Sequence, residues 1–424
     1  MERRNFLKTA GLFSAGIYTS RLPVIAGPFE SALNPGEIPI DKKLDASWIK
    51  SLFNRGAVTK YHASKNELKF IGMPVGGIDT GTLYLGGDGR LWLWDIFNDN
   101  REGIEPKIVP WETELHVGKK IRSRDGAAYV SPAKDIRPVE QGFAFRITTP
   151  TQTYFKKMVA EDWEDIVFEA TYPMATVKYI DKHLPVEIIA EIYSPFIPLN
   201  EDDSGLPATI YQFKIKNTGN QQIKVDVIGW LENKCCIQLT ENNITRTNKL
   251  ITQGNLNCLQ SSIDHSSIDL TERSDFGTMS IVCRQAGSKL LPKISWPVTA
   301  EVFQLQSTSS ASSEEKLIGA VSSGAEIKPA EEKQFDFILT WNFPNLEFKE
   351  IPDKKRFYST RFKDAASVAA YVDTNFSRLA GQSRLWKNTW YDSTLPWWFL
   401  ERTLLNISCL ATTTAHRMAS GRYY

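Results

Sequence analysis

The residues best placed to do chemistry lie close together: Asp79, Asp88 and Asp95, interleaved with Trp92, Trp94 and the glycines of two runs, GMPVGGIDTG (72–81) and GGDGRLWLWD (86–95). Carboxylates beside indole rings suit sugars, because a ring face stacks on the C–H surface of a pyranose while the acid accepts hydrogen bonds from its hydroxyls. Trp92, Trp94 and Asp95 are therefore the candidate substrate-binding group. Two plainer readings stand beside it: a Trp/Gly-rich sheet edge that docks on another domain, and ordinary core. A phosphate cradle is excluded, since no lysine follows as in a P-loop, the spacing is not G-x-G-x-x-G, and strand chemistry rather than a helix comes next.

Other chemistry finds less support. The acidic tip Glu201-Asp202-Asp203-Ser204-Gly205 invites calcium, but lacks D-x-D-x-D-G spacing and reads as a solvated turn. His62, His116, His183, His265 and His416 are scattered, so no metal site is expected. Cys235, Cys236, Cys258, Cys283 and Cys409 lack zinc spacing; they read as buried thiols, with one disulfide as the alternative. No G-x-S-x-G elbow is present, and no cofactor is expected.

The elements that must position these residues are mostly strands. Alternation places Val186, Ile188, Ala190 and Ile192 on one face, likewise Tyr211, Phe213 and Ile215, then Ile223, Val225 and Val227, and later Phe335, Phe337, Leu339 and Trp341. Asn217-Thr218-Gly219-Asn220 predicts a hairpin turn between the second and third of these. Ser307 to Glu315 reads as an exposed loop. So many half-apolar strands predict a mainly β protein, two large antiparallel sheets packed face to face. After Pro344 the period changes: Val372, Phe376, Leu379, Trp386 and Trp390 predict one long helix. A second follows, with Thr394 as cap, Pro396 in the first turn, and Trp397, Leu400, Leu404, Ile407 and Ala411 as its buried stripe.

Phe70 to Asn98 resembles the opening signature of glycoside hydrolase family 116, the glucosylceramidase-like β-glucosidases, with Asp79 where that family usually has glycine. Ser194–Ala208, WLEN (230–233) and LTWNFPN (339–345) extend the resemblance. It implies a large antiparallel β-sandwich, and the segment Trp390–Thr414 is similar to the entry into that family's helical (α/α)6 catalytic barrel. The nucleophilic glutamate and the acid/base aspartate of the family lie in that barrel, past the residues that Gly421–Tyr424 match, so no catalytic residue is expected here. The implied organisation is a signal (1–26), a linker (27–56), the sandwich (57–345), a linking helix (346–391) and the start of a truncated helical domain (392–424). The implied partners are a missing or separately encoded helical catalytic domain and, for the complete enzyme, a β-glucoside or glycolipid.

Composition fits an ordinary globular chain: 424 residues, 42% hydrophobic, formal net charge +1. Such balance gives no reason to expect nucleic acid, and no apolar run is long enough for a membrane span. At the N-terminus, MERRNFLKTAGLFSAG places Arg3 and Arg4 as in a twin-arginine export signal, with Val24-Ile25-Ala26 as a small-residue cleavage site. A periplasmic or extracellular location is the expectation; a basic starter helix is the alternative. Three functions follow: the N-terminal part of a β-glucosidase-like enzyme, inactive alone; a free-standing module that binds glycans or glycolipid; and one chain of a two-chain enzyme.

Overall fold

The computed structural model describes residues 44–98, 107–111, 119–123, 139–239, 244–254, 256–264, 270–346 and 351–424. Arg3, Arg4 and the rest of the expected export signal lie outside the described residues, as do His116 and His265. Residues 44–54 belong to a separate compact unit, in which Asp45 caps the short helix α1 (Ala46–Ser51) by accepting a 2.9 Å bond from the Trp48 amide. Everything below concerns residues 55–424.

The expected alternation builds two antiparallel sheets. The larger has ten strands, in the order β1 (Tyr61–His62), β9 (Asp165–Thr171), β10 (Met174–Ile180), β11 (Val186–Tyr193), β12 (Ala208–Asn217), β20 (Glu332–Asn342), β16 (Thr278–Cys283), β15 (Leu256–Asp264), β14 (Thr245–Gln253) and β18 (Ser310–Ser313). The smaller has five: β17 (Lys289–Leu291), β19 (Ile318–Ile327), β13 (Ile223–Glu232), β7 (Gln141–Thr148) and β8 (Thr153–Lys157). A third, small sheet carries the glycine-rich segment as β2 (Met73–Pro74), β3 (Thr82–Leu85) and β4 (Leu91–Asp95), and the backbones of β5 (Lys107–Trp111) and β6 (Lys119–Ser123) pair with each other.

Between the two main sheets lies an aromatic core. Phe143 on β7 meets Tyr211, Phe213 and Phe337 across the gap, at ring-centroid distances of 4.6, 5.0 and 5.1 Å. The inclined rings satisfy the preference of aromatic pairs for edge or offset contact. Every residue assigned to the apolar faces of β11, β12, β13 and β20 is in this core. Their odd-register neighbours are also buried in the middle of the large sheet, because a helical layer covers its outer face: Ile210, Val282 and Ile338 pack against Val368, Ala369, Val372 and Leu379. After the one-turn helix α3 (Tyr358–Arg361), α4 (Ala365–Thr374) and α5 (Phe376–Tyr391) thus form a third layer on the sandwich.

Four expectations need correction. The Asn217–Asn220 turn does not make a hairpin: β12 belongs to the large sheet and β13 to the small one, so the chain arches between layers. Asn217 holds the arch, its Nδ2 donating to the Gln221 and Ile327 carbonyls at 2.7 and 2.9 Å. Period-two patterning says which residues face inward, not which strand lies alongside. The serine-rich segment is not simply a loop; β18 pairs with β14 and forms a polar edge, a usual way to blunt a sheet margin.

The third concerns the long helix, which is two. Asn375, at φ −100° and ψ 10°, separates α4 from α5 while the apolar stripe runs through the break. Finally, Thr394 does not cap the last helix, α6 (Trp397–Leu404); Pro396 occupies that position without a side-chain bond. Of its expected stripe, Trp397, Leu400 and Leu404 are buried on the helix, while Ile407, half-buried, and Ala411, buried, fall on the 3-10 turns Leu405–Ala411 that follow it.

All five cysteines are free, and Cys409 alone is exposed. Burial pushes the Cys236 and Cys258 thiols up to about 12 and Cys283 to about 11, so they are inert at neutral pH. Among the described residues, no helix is long and apolar enough to cross a membrane.

Candidate functional site

The glycines earn their places through close backbone approach. A Cβ on Gly77 would sit 2.2 Å from the Leu206 carbonyl oxygen, and one on Gly81, at φ +103°, 2.5 Å from that of Asp95. The 76–81 turn is therefore pressed onto the loop that enters β12 and onto the end of β4. Inside it, Asp79 takes φ +61°, a left-handed conformation that Asp tolerates better than most residues.

This packing encloses the candidate substrate-binding group. Trp92 and Trp94 are each 2% exposed. Trp92 donates to the Ile71 carbonyl at 3.1 Å and meets Tyr84 edge-on, while Trp94 lies in the core between the sheets. Neither presents an open stacking face in this chain. Asp95 is also buried, and Asp88 is engaged by Arg90, whose Nε is 2.8 Å from Oδ2.

What the same turn does build is a buried polar seam that the sequence reading passed over. Arg356, 1% exposed, donates from Nε and Nη2 to Asn98 Oδ1 at 2.9 and 2.6 Å, and from Nη1 to the Asp79 carbonyl at 2.7 Å. Asn98 in turn donates to the Phe343 and Asn345 carbonyls, both at 2.7 Å. One guanidinium thus ties the glycine turn and the end of β4 to the segment after β20. Against it packs the C-terminal hairpin, closed by paired backbone bonds between His416 and Tyr424 at 2.9 and 3.0 Å. Burial, with Arg356 adding repulsion, lowers His416 to about 4 and keeps it neutral. Burial acts in the opposite sense on Asp79, raising it to about 6 despite Arg356 and Arg417 nearby.

The acidic tip completes this region. Glu201–Ser204 is a short helix, α2, capped by Asn200. The solvated-turn reading fits Glu201 and Asp202, but Asp203 is buried, accepting from Arg378 at 2.6 Å and from the Tyr371 hydroxyl at 2.7 Å. Burial opposes its ionisation, and the bonds from Arg378 and Tyr371 more than offset that and hold the carboxyl below its ordinary value. Arg417 pairs with Asp202 at 2.6 Å and lies 3.5 Å over the Phe357 ring. Together Asp79, Glu201, Asp202, Phe357, Tyr358 and Arg417 line a small cleft.

Elsewhere, Glu164, Asp181 and His183 bring potential metal-ligand atoms within 4.8 Å of one another. Lys182 and Lys156 pair with the two carboxylates at 2.9 and 2.8 Å, so the group reads as a surface charge network.

The fold is thus a two-sheet antiparallel sandwich with a helical outer layer, and a buried polar seam holds its glycine turn in place. The family model described as "beta-glucosidase 2, glycosyl-hydrolase family 116 N-term" matches residues 72–379, most of the chain, which therefore belongs to that family as its N-terminal module. Among solved structures, the chain is similar to a bacterial glucoamylase complexed with acarbose, at 9% identity and a TM-score of 0.40, covering 79% of this chain and 39% of that one. It is also similar to a galactose mutarotase related enzyme from Lactobacillus acidophilus, at 9% identity and a TM-score of 0.30, covering 64% and 96%. A putative kojibiose phosphorylase from human microbiome matches at 12% identity and a TM-score of 0.30, covering 58% and 27%. The chain thus spans well under half of the glucoamylase's length.

Proposed function

We propose that this chain supplies the N-terminal β-sandwich half of an exported glycoside hydrolase of the β-glucosidase or glucosylceramidase type, and that it does not hydrolyse glycosides by itself. The family match over residues 72–379 carries this reading. A retaining glycosidase needs two accessible carboxyl groups about 5 to 5.5 Å apart, one ionised to attack the anomeric carbon and one protonated to assist departure of the leaving group. Several buried or half-buried acids have structural partners instead. Asp203, Asp226 and Asp336 pair with Arg378, Arg146 and Arg284, Glu191 pairs with Arg384, and Asp95 is buried.

The helical catalytic half, in the same polypeptide or separately encoded, is the proposed partner. Leu385, Trp398, Phe399 and Leu410 on and after α5 and α6 are exposed, and helices of that half would cover them. The expected result for the purified chain is no turnover of aryl β-glucosides; activity that co-purifies with the chain through several orthogonal columns would overturn the proposal. Export is tested separately: residues 1–26 fused to a folded reporter should carry it out of the cytoplasm, and the R3K/R4K pair should stop it.

A further inference from the structure

The backbone of Asp79 serves the seam, but its side chain is placed at a conformational cost with no bonded partner among the described residues. Its left-handed backbone, at φ +61°, favours glycine, and the residue is only 8% exposed. Among the described residues its carboxylate takes no hydrogen bond and no ion pair, although Arg356 and Arg417 are near enough to act on it through space. Asp79 lines the cleft with Glu201, Asp202 and Arg417. Arg417 pairs with Glu201 and Asp202 at 3.5 and 2.6 Å, and Tyr423, 53% exposed, presents its ring 5.7 Å from that guanidinium.

A planar acceptor whose oxygens take no bond among the described residues and a half-exposed aromatic ring nearby together match one edge of a pyranose. Two adjacent hydroxyls donate to the carboxylate, and the C–H face lies on the ring. The cleft is small, so it admits that edge and not a whole sugar. From this geometry we infer that Asp79 is a direct hexopyranoside contact, through which the sandwich takes part in glycoside binding. The ligand class rests on the family reading above; the site rests on the geometry.

The test is titration of the full chain with methyl β-D-glucoside to about 100 mM, the range expected for a one-edge contact, followed by saturation-transfer NMR and calorimetry. Saturable binding is expected, weakened about tenfold or more in both D79N and D79G. D79G relieves the left-handed strain and should melt no lower than the parent chain, so loss of binding there is not loss of fold. The absence of saturable binding by the parent chain, or either variant binding as the parent does, overturns the proposal. Hydrolysis is not the readout: turnover by the chain would sink the function proposed above and leave the Asp79 contact to be decided by the titration.

Discussion

The interior between the sheets and the seam beside the glycine turn are both closed to solvent, yet they hold together differently. The interior is made of interchangeable contacts: Phe143 touches three rings, each of which touches others. At the seam Arg356 serves named acceptors, Asn98 Oδ1 and the Asp79 carbonyl, each held by a specific bond. Dry packing fails in proportion to the volume removed, whereas a buried polar network fails by leaving partners without bonds.

That contrast predicts an order of effects. Phe143→Ala removes the most, about 4 kcal/mol of unfolding free energy, measured by urea denaturation; a loss under 1 kcal/mol would mean that the sheets do not depend on the aromatic stack. Arg356→Ala should cost about 3 kcal/mol, since Asn98 Oδ1 and the Asp79 carbonyl lose their donors without access to water. If it costs no more than an exposed substitution, the seam is not structural and the comparison breaks.

A smaller effect appears with pH. Asp79, raised to about 6, binds its proton more tightly in the fold than in the unfolded chain, so its contribution falls as pH rises from 4 to 6. His416, lowered to about 4, does the reverse: its neutral form is favoured, and stability is lost as pH falls from 6.5 towards 4. The two slopes oppose each other, so this pair leaves the parent chain nearly flat across that window. Asp79→Asn removes one of them and should expose a fall of about 2 kcal/mol on acidification from pH 6.5 to 4. Melting curves across that range for both proteins check it, and parallel curves would exclude the opposition.

The same division governs how much was legible in the residues alone. Strand faces were readable because burial on one side forces a two-residue period, and the family signature lay in glycines whose backbone contacts leave no room for a Cβ. The arch at Asn217 was not, since alternation is blind to which sheet a strand joins. Trp92 and Trp94 looked like sugar platforms by type, but aromatic rings beside glycine serve equally as filling for the space that glycine opens. Arg356 gave no signal at all: an arginine between lysine and phenylalanine is ordinarily solvated, and its partners Asn98 and Asp79 are remote in sequence. His416 and Arg417 were similarly silent, because their roles arise when the C-terminal hairpin closes on the turn.

The arch also sets a timetable for synthesis. Strand β12 is flanked on one side by β11, made just before it, and on the other by β20, whose pairing runs from Ala208 with Thr340 to Lys216 with Glu332. A nascent chain must therefore carry one naked edge of its central strand while everything from the arch to β20 is translated. A ribosome stalled in that interval would present an adhesive template to its neighbours, and chaperone capture should concentrate there.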